Sequence, residues 1–111
     1  MTHELRFVPE ALEDWAALDG SIRKLFKNAM TKRLKTPRTP GSELRPPLMD
    51  CYKIKLRGIG YRLIYLVRDS NAPPDIVVLA VGRRDGGIYE TAAAAWEEGR
   101  VFEADEEDEN G

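Results

Sequence analysis

The sequence predicts an α+β fold in the order β-α-α-β-β-β(-α), a mainly antiparallel sheet with two N-terminal helices packed on one face. Three observations lead there. Two early segments carry apolar residues at helical spacing, three later ones read as strands separated by glycine- and proline-rich turns, and residues 51–57 alternate strictly between apolar and cationic side chains.

Residues 2–8 alternate, with Leu5 and Phe7 on one side and Glu4 and Arg6 on the other, and read as a strand. Pro9 suits the first turn of a helix, where its missing N–H would have no partner anyway. Leu12, Trp15, Ala16 and Leu18 then lie near one face, and Asp19-Gly20 supplies a stop. Ser21 can cap a second helix in which Ile22, Leu25, Phe26, Ala29, Met30 and Leu34 follow an i, i+3, i+4, i+7 pattern, and Pro37 ends it. The five prolines and glycines of residues 36–49 give an extended, ordered connection. Strands are expected at 51–57, 61–67 and 75–81, with Gly58-Ile59-Gly60 turning the first pair. Residues 92–96 favour a short last helix. Residues 1–100 therefore form one domain, followed by an acidic tail at 101–111 too poor in apolar residues to pack.

At 111 residues, with 42% hydrophobic and 32% charged side chains, the chain suits a single globular core. The longest apolar run, residues 76–81, is far too short to span a bilayer, so no membrane partner is expected. The N-terminus lacks the apolar stretch of a secretory signal. A lone cysteine, Cys51, fits a reducing cytoplasm. One Cys and one His make no zinc constellation, and neither metal nor cofactor is expected. Any catalysis has to work without histidine, since His3 sits at the chain end.

The net charge of −2 hides an uneven distribution. Residues 20–70 hold thirteen Lys and Arg against three acids, whereas residues 101–111 hold six acids and no base. A basic centre points to a polyanion partner. Within it, Tyr52, Ile54 and Leu56 share one strand face and Lys53, Lys55 and Arg57 the other. If Arg57 pairs with Arg62, with Lys55 facing Ile64 and Lys53 facing Leu66, Arg62 joins the cations on an uncovered sheet face. A one-residue slip would instead bury Arg62 and expose three large side chains. Packing four cations together costs repulsion, which a bound phosphate would relieve. The alternative is a solvated face whose Lys and Arg discourage edge pairing. The second helix also carries Lys24 and Lys27 among six cations, either a wet face or an aid to docking RNA. Arg83 and Arg84 end the last strand, and Tyr89 could stack on a splayed base or anchor the last helix.

The stretch from Leu44-Arg45 through Asp50-Cys-Tyr-Lys-Ile-Lys-Leu-Arg57, then Gly60-Tyr-Arg-Leu, Tyr65 and Val67, closely resembles the RelE toxins of bacterial type II toxin–antitoxin systems. The likeness covers roughly residues 3–96. It implies a ribosome-dependent endoribonuclease that cuts messenger RNA in the decoding site, and a cognate antitoxin that wraps the toxin. By the resemblance, Lys53 and Lys55 match the family's strand lysines, Arg62 its GYR arginine, and Tyr89 its C-terminal tyrosine. The remaining arginine is Arg84 or Arg83, because the segment between Gly82 and Tyr89 is one residue shorter than the family pattern. Arg45, Arg57, Arg83, Lys24 and Lys27 are candidates for further RNA contacts. RNA supplies its own nucleophile, the 2′-hydroxyl, so cations aimed at the phosphorane would bind the transition state best. Crowding is expected to depress the lysine pKa values and make Lys55 a base. Two alternatives remain open: a ParE-like toxin that poisons DNA gyrase, and an RNA- or ribosome-binding module without catalysis.

Overall fold

The computed structural model describes residues 3–110, with side chains through residue 100. The elements run β1 (Glu4–Phe7), α1 (Pro9–Ala16), α2 (Gly20–Lys35), β2 (Cys51–Leu56), β3 (Tyr61–Arg68), β4 (Asp75–Arg83) and α3 (Ile88–Asn110). They build one four-stranded sheet in the order β1-β4-β3-β2, in which only the β1–β4 pair is parallel.

α1 and α2 cover one face, as their apolar stripes require. Trp15 of α1 lies between Phe7 of β1 and Phe26 of α2, with ring centroids 5.5 and 6.2 Å apart. Arg33 of α2 donates to the Tyr65 hydroxyl, which donates to the carbonyl of Pro37, and Tyr65 stacks on Tyr52. Tyr52, Ile54, Leu63 and Tyr65 are all buried on this side. The helices differ from expectation in two details. Asp19 rather than Ser21 caps α2, its carboxylate accepting from the Ser21 N–H and hydroxyl, so Asp19-Gly20 starts a helix instead of only ending one. Leu12 and Leu25 are about half exposed, because Ala11, Trp15, Phe26 and Met30 already fill the contact with the sheet.

The largest departure is on the other face. Far from being uncovered, it carries α3, which begins at Ile88 and continues well past residue 96. Ile88, Ala92, Ala95 and Gly99 are buried against β3 and β4. The expected behaviour of the acidic side chains at 101–111 lies outside the described side chains.

Under the far part of α3, Asp75 is 1% exposed and Arg68 7%. Arg68 grips Asp75 with both arms, Nε to Oδ1 at 2.8 Å and Nη2 to Oδ2 at 2.6 Å, and Arg6 adds a bond to Oδ2 at 2.8 Å. A buried carboxylate survives only with such compensation. The Asp75→Ala variant, which removes the buried carboxylate that Arg68 and Arg6 share, should lose about 3–5 kcal/mol of stability, measured by urea unfolding.

Candidate nucleic-acid interface

The site grows out of the β2–β3 hairpin. Leu56 pairs with Tyr61, so the four-residue turn is Arg57–Gly60, with Gly58 at φ +88° and Gly60 at φ +71°, a region open to glycine. This sets the register at Lys55 opposite Arg62 and Lys53 opposite Ile64. The expected pairing of Arg57 with Arg62 is corrected by two residues, since the positive φ angles pull Arg57 out of the strand into the turn. A two-residue shift preserves the face of every side chain, so Lys53, Lys55 and Arg62 do share one side of the sheet, the side α3 partly covers.

The spacing is tight. Directly opposed side chains have Cβ atoms about 5 Å apart, and alternate residues on a strand lie roughly 6.6 Å apart. The Lys55 ammonium is held below the usual lysine range, chiefly by the charge of Lys53, then by Arg62, with smaller contributions from lost hydration, Arg57 and Arg84. Arg62 Nη1 is buried and has no hydrogen-bond partner among the described residues. A guanidinium nitrogen withdrawn from water without an acceptor is costly, and the Arg62 residue that carries it lines an open cavity of about 590 Å³. Lys55, Arg57, Arg62, Arg83 and Arg84 line that cavity together with the glycine turn, and Asp85 is its one acid among the lining residues.

β4 separates the two arginines. Arg62 pairs with Gly82 and Tyr61 with Arg83, so Arg83 leaves the sheet on the Tyr61 side. Its guanidinium lies 5.7 Å from the centre of the Tyr61 ring and 3.7 Å from Asp85. Arg84 follows with the parity of Gly82, donates its N–H to the carbonyl of Gly60 at 2.8 Å, and acts electrostatically on Lys55. Arg84 therefore belongs with the cationic face and Arg83 borders it. Tyr89, in the first turn of α3, is half-buried against the core. Arg45 is exposed on the segment before β2, which is tied to that strand's edge through Ser42 and Leu44. Lys24 and Lys27 are exposed on α2, on the opposite face of the sheet, and do not join this site. His3 lies at the far end of the sheet, where its Nε2 bonds Asp69 at 2.7 Å.

Two features escaped the sequence reading. The backbone tie from Arg84 to Gly60 depends on how the hairpin meets β4 and leaves no mark on composition. The contact face of α3 did leave one, since Ile88, Ala92, Ala95 and Gly99 fall at i, i+4, i+7 and i+11.

Known proteins share this fold. A family model described as "ParE toxin of type II toxin-antitoxin system, parDE" matches residues 5–86. The "mRNA interferase toxin RelE" of Escherichia coli strain K12 is 39% identical over 85 residues, 77% of this chain and 86% of its own length. A free-state structure of an E. coli RelE double mutant has a TM-score of 0.75 and 36% identity, covering 85% of this chain and 97% of that one. The toxin in the intact E. coli RelBE toxin–antitoxin complex has a TM-score of 0.68 and 38% identity, covering 73% and 95%. The chain belongs to the RelE family within these type II toxins.

Removing the strongest depressing charge should raise the pKa of Lys55. In Lys53→Met the Lys55 ammonium should titrate at higher pH than in the parent, followed by NMR of the side-chain nitrogen. Arg84→Ala should move it the same way by less, and Arg83→Ala should leave it in place.

Proposed function

We propose that the protein is the toxin of a type II toxin–antitoxin system, an endoribonuclease that cuts messenger RNA in the ribosomal A site and is neutralised by an antitoxin that wraps it. The observation that carries this reading is Lys55 directly opposite Arg62, on one face with Lys53 and within the field of Arg84. The names of the relatives, an mRNA interferase and a toxin solved with its antitoxin, point the same way. Residues 1–100 are the toxin domain and 101–111 an acidic extension. Among the described residues no helix is long and apolar enough to cross a membrane, and a toxin of translating ribosomes works in the cytoplasm.

In this mechanism neutral Lys55, assisted by Lys53, takes the proton of the 2′-hydroxyl, whose oxygen attacks the adjacent phosphorus. Negative charge builds on the phosphorane oxygens as the bond to the 5′-oxygen breaks. Arg62, with a planar fork that matches phosphate and a place in the cavity lining, meets that charge. Arg84 stabilises the leaving 5′-oxygen electrostatically while solvent water supplies its proton, because arginine holds its own proton too firmly to be an efficient acid. Tyr89 orients the scissile nucleotide by stacking or a hydroxyl contact. Arg45, Arg57 and Arg83 add phosphate contacts around the site, and Lys24 and Lys27 offer a separate basic surface toward ribosomal RNA. Such weak acid–base groups leave much of the rate to positioning, which the ribosome provides.

Cleavage on programmed ribosomes should fall by about 10²–10³-fold in Lys55→Ala and in Arg62→Ala, both remaining folded by circular dichroism. Undiminished cleavage in both removes this chemistry. Arg84→Ala should impair cleavage more than Arg83→Ala. Only the neutral lysine accepts a proton, so the rate should rise with pH through the depressed Lys55 pKa. In Lys53→Met that rise should move to higher pH.

The ParE description of the matching family favours one second reading, a toxin that poisons DNA gyrase without cutting RNA. A supercoiling assay separates the two, because the RNA-cutting toxin leaves gyrase unaffected.

A further inference from the structure

The stripe that α3 lays on the sheet shrinks along its length, from Ile88 through Ala92 and Ala95 to Gly99. Smaller contact residues let a helix axis approach more closely, so α3 comes nearest the sheet at Gly99. There is no space there for a side chain. A Cβ on Gly99 would lie 2.5 Å from Leu79 Cδ2, 3.5 Å from Leu66 Cδ2 and 3.7 Å from Val77 Cγ1. Leu79 is 1% exposed and Val77 fully buried, so neither has solvent to turn into. Glycine inside a helix is otherwise unfavourable, and close approach is what this one gains.

Two polar ties hold the same end. Arg68, already clamped on Asp75, donates from Nη1 to the carbonyl of Gly99 at 3.2 Å. Trp96 donates its indole N–H to the carbonyl of Met49 at 3.0 Å. Gly99, whose carbonyl takes the Arg68 bond, lies outside the segment that the family model matches, which ends at residue 86. Tyr89 stands at the other end of this helix, ten residues and roughly 15 Å from Gly99. Lifting one end of a rigid rod seated on a sheet swings the other.

We infer that Gly99 is a positioning residue, the seat that fixes the tilt of α3 and through it the placement of Tyr89 in the helix's first turn. The part of this inference that concerns cleavage rests on the function proposed above, and the part that concerns the helix does not. The test compares Gly99→Ala and Gly99→Val, each alone and combined with Tyr89→Ala. It reads kcat and KM for message cleavage on programmed ribosomes, together with amide hydrogen exchange.

Gly99→Val should speed exchange in residues 88–98 while the β3–β4 amides stay protected. It should lower kcat about tenfold, the size of one lost stacking contact, and add little to the Tyr89→Ala variant. Gly99→Ala should act in the same direction by less, and decides the matter if the valine variant does not fold. An equal loss of kcat with and without Tyr89 overturns the inference and leaves the nuclease reading standing, as does a native kcat with α3 loosened. Unchanged exchange in the glycine variants overturns the seat itself, whether or not ribosomal message is cut. A parent protein that cuts nothing removes the nuclease reading alone, and exchange then decides on the seat.

Discussion

The opposition of Lys55 and Arg62 across β2 and β3 is the constraint on which the rest of this molecule turns. Two like charges at directly paired positions oppose the hairpin that carries them, and Lys53 beside them adds to the repulsion. The hairpin holds because its other face is a continuous apolar layer of Tyr52, Ile54, Leu63 and Tyr65 packed under α1 and α2. The hydrophobic side fixes the register, and the register delivers the cations. Any slip that separated Lys55 from Arg62 would have to move that buried layer as well.

The two ends of the sheet treat their arginines in opposite ways. At one end Arg6 and Arg68 are spent on Asp75, Arg38 on Asp50 and Asp69, and the charges are internally balanced. At the other end Lys55, Arg57, Arg62 and Arg84 converge, with Asp85 as the acid lining the same cavity and turned to Arg83. Balanced charges stabilise a fold and present little net field. Unbalanced ones hold a field that a polyanion can enter, and the depressed Lys55 pKa is the local measure of it.

α3 joins these two ends. Its far part is seated over the balanced network through Gly99 and Arg68, and its first turn follows Arg84 and Asp85, which line the unbalanced one. The face that bears the site is thus half core and half surface. The buried half, Ile64, Leu66, Val77 and Leu79, supplies the rigid support on which a site of flexible lysines depends.

The sequence by itself determined the order of elements, the apolar layer and the side of the sheet on which Lys53, Lys55 and Arg62 emerge. Alternation along a strand has a period of two, and one buried face is enough to fix parity. Only the tertiary structure decided the pairing within that parity. Gly58 and Gly60 take positive φ and draw Arg57 into the turn, a backbone choice that composition leaves open. Only the tertiary structure separated Arg84 from Arg83, because their faces follow from where β4 ends against the hairpin. It also put α3 over the cationic face and Lys24 and Lys27 beneath the opposite one. Which face a helix packs against depends on what the rest of the chain has left uncovered, and no local pattern in the helix records that.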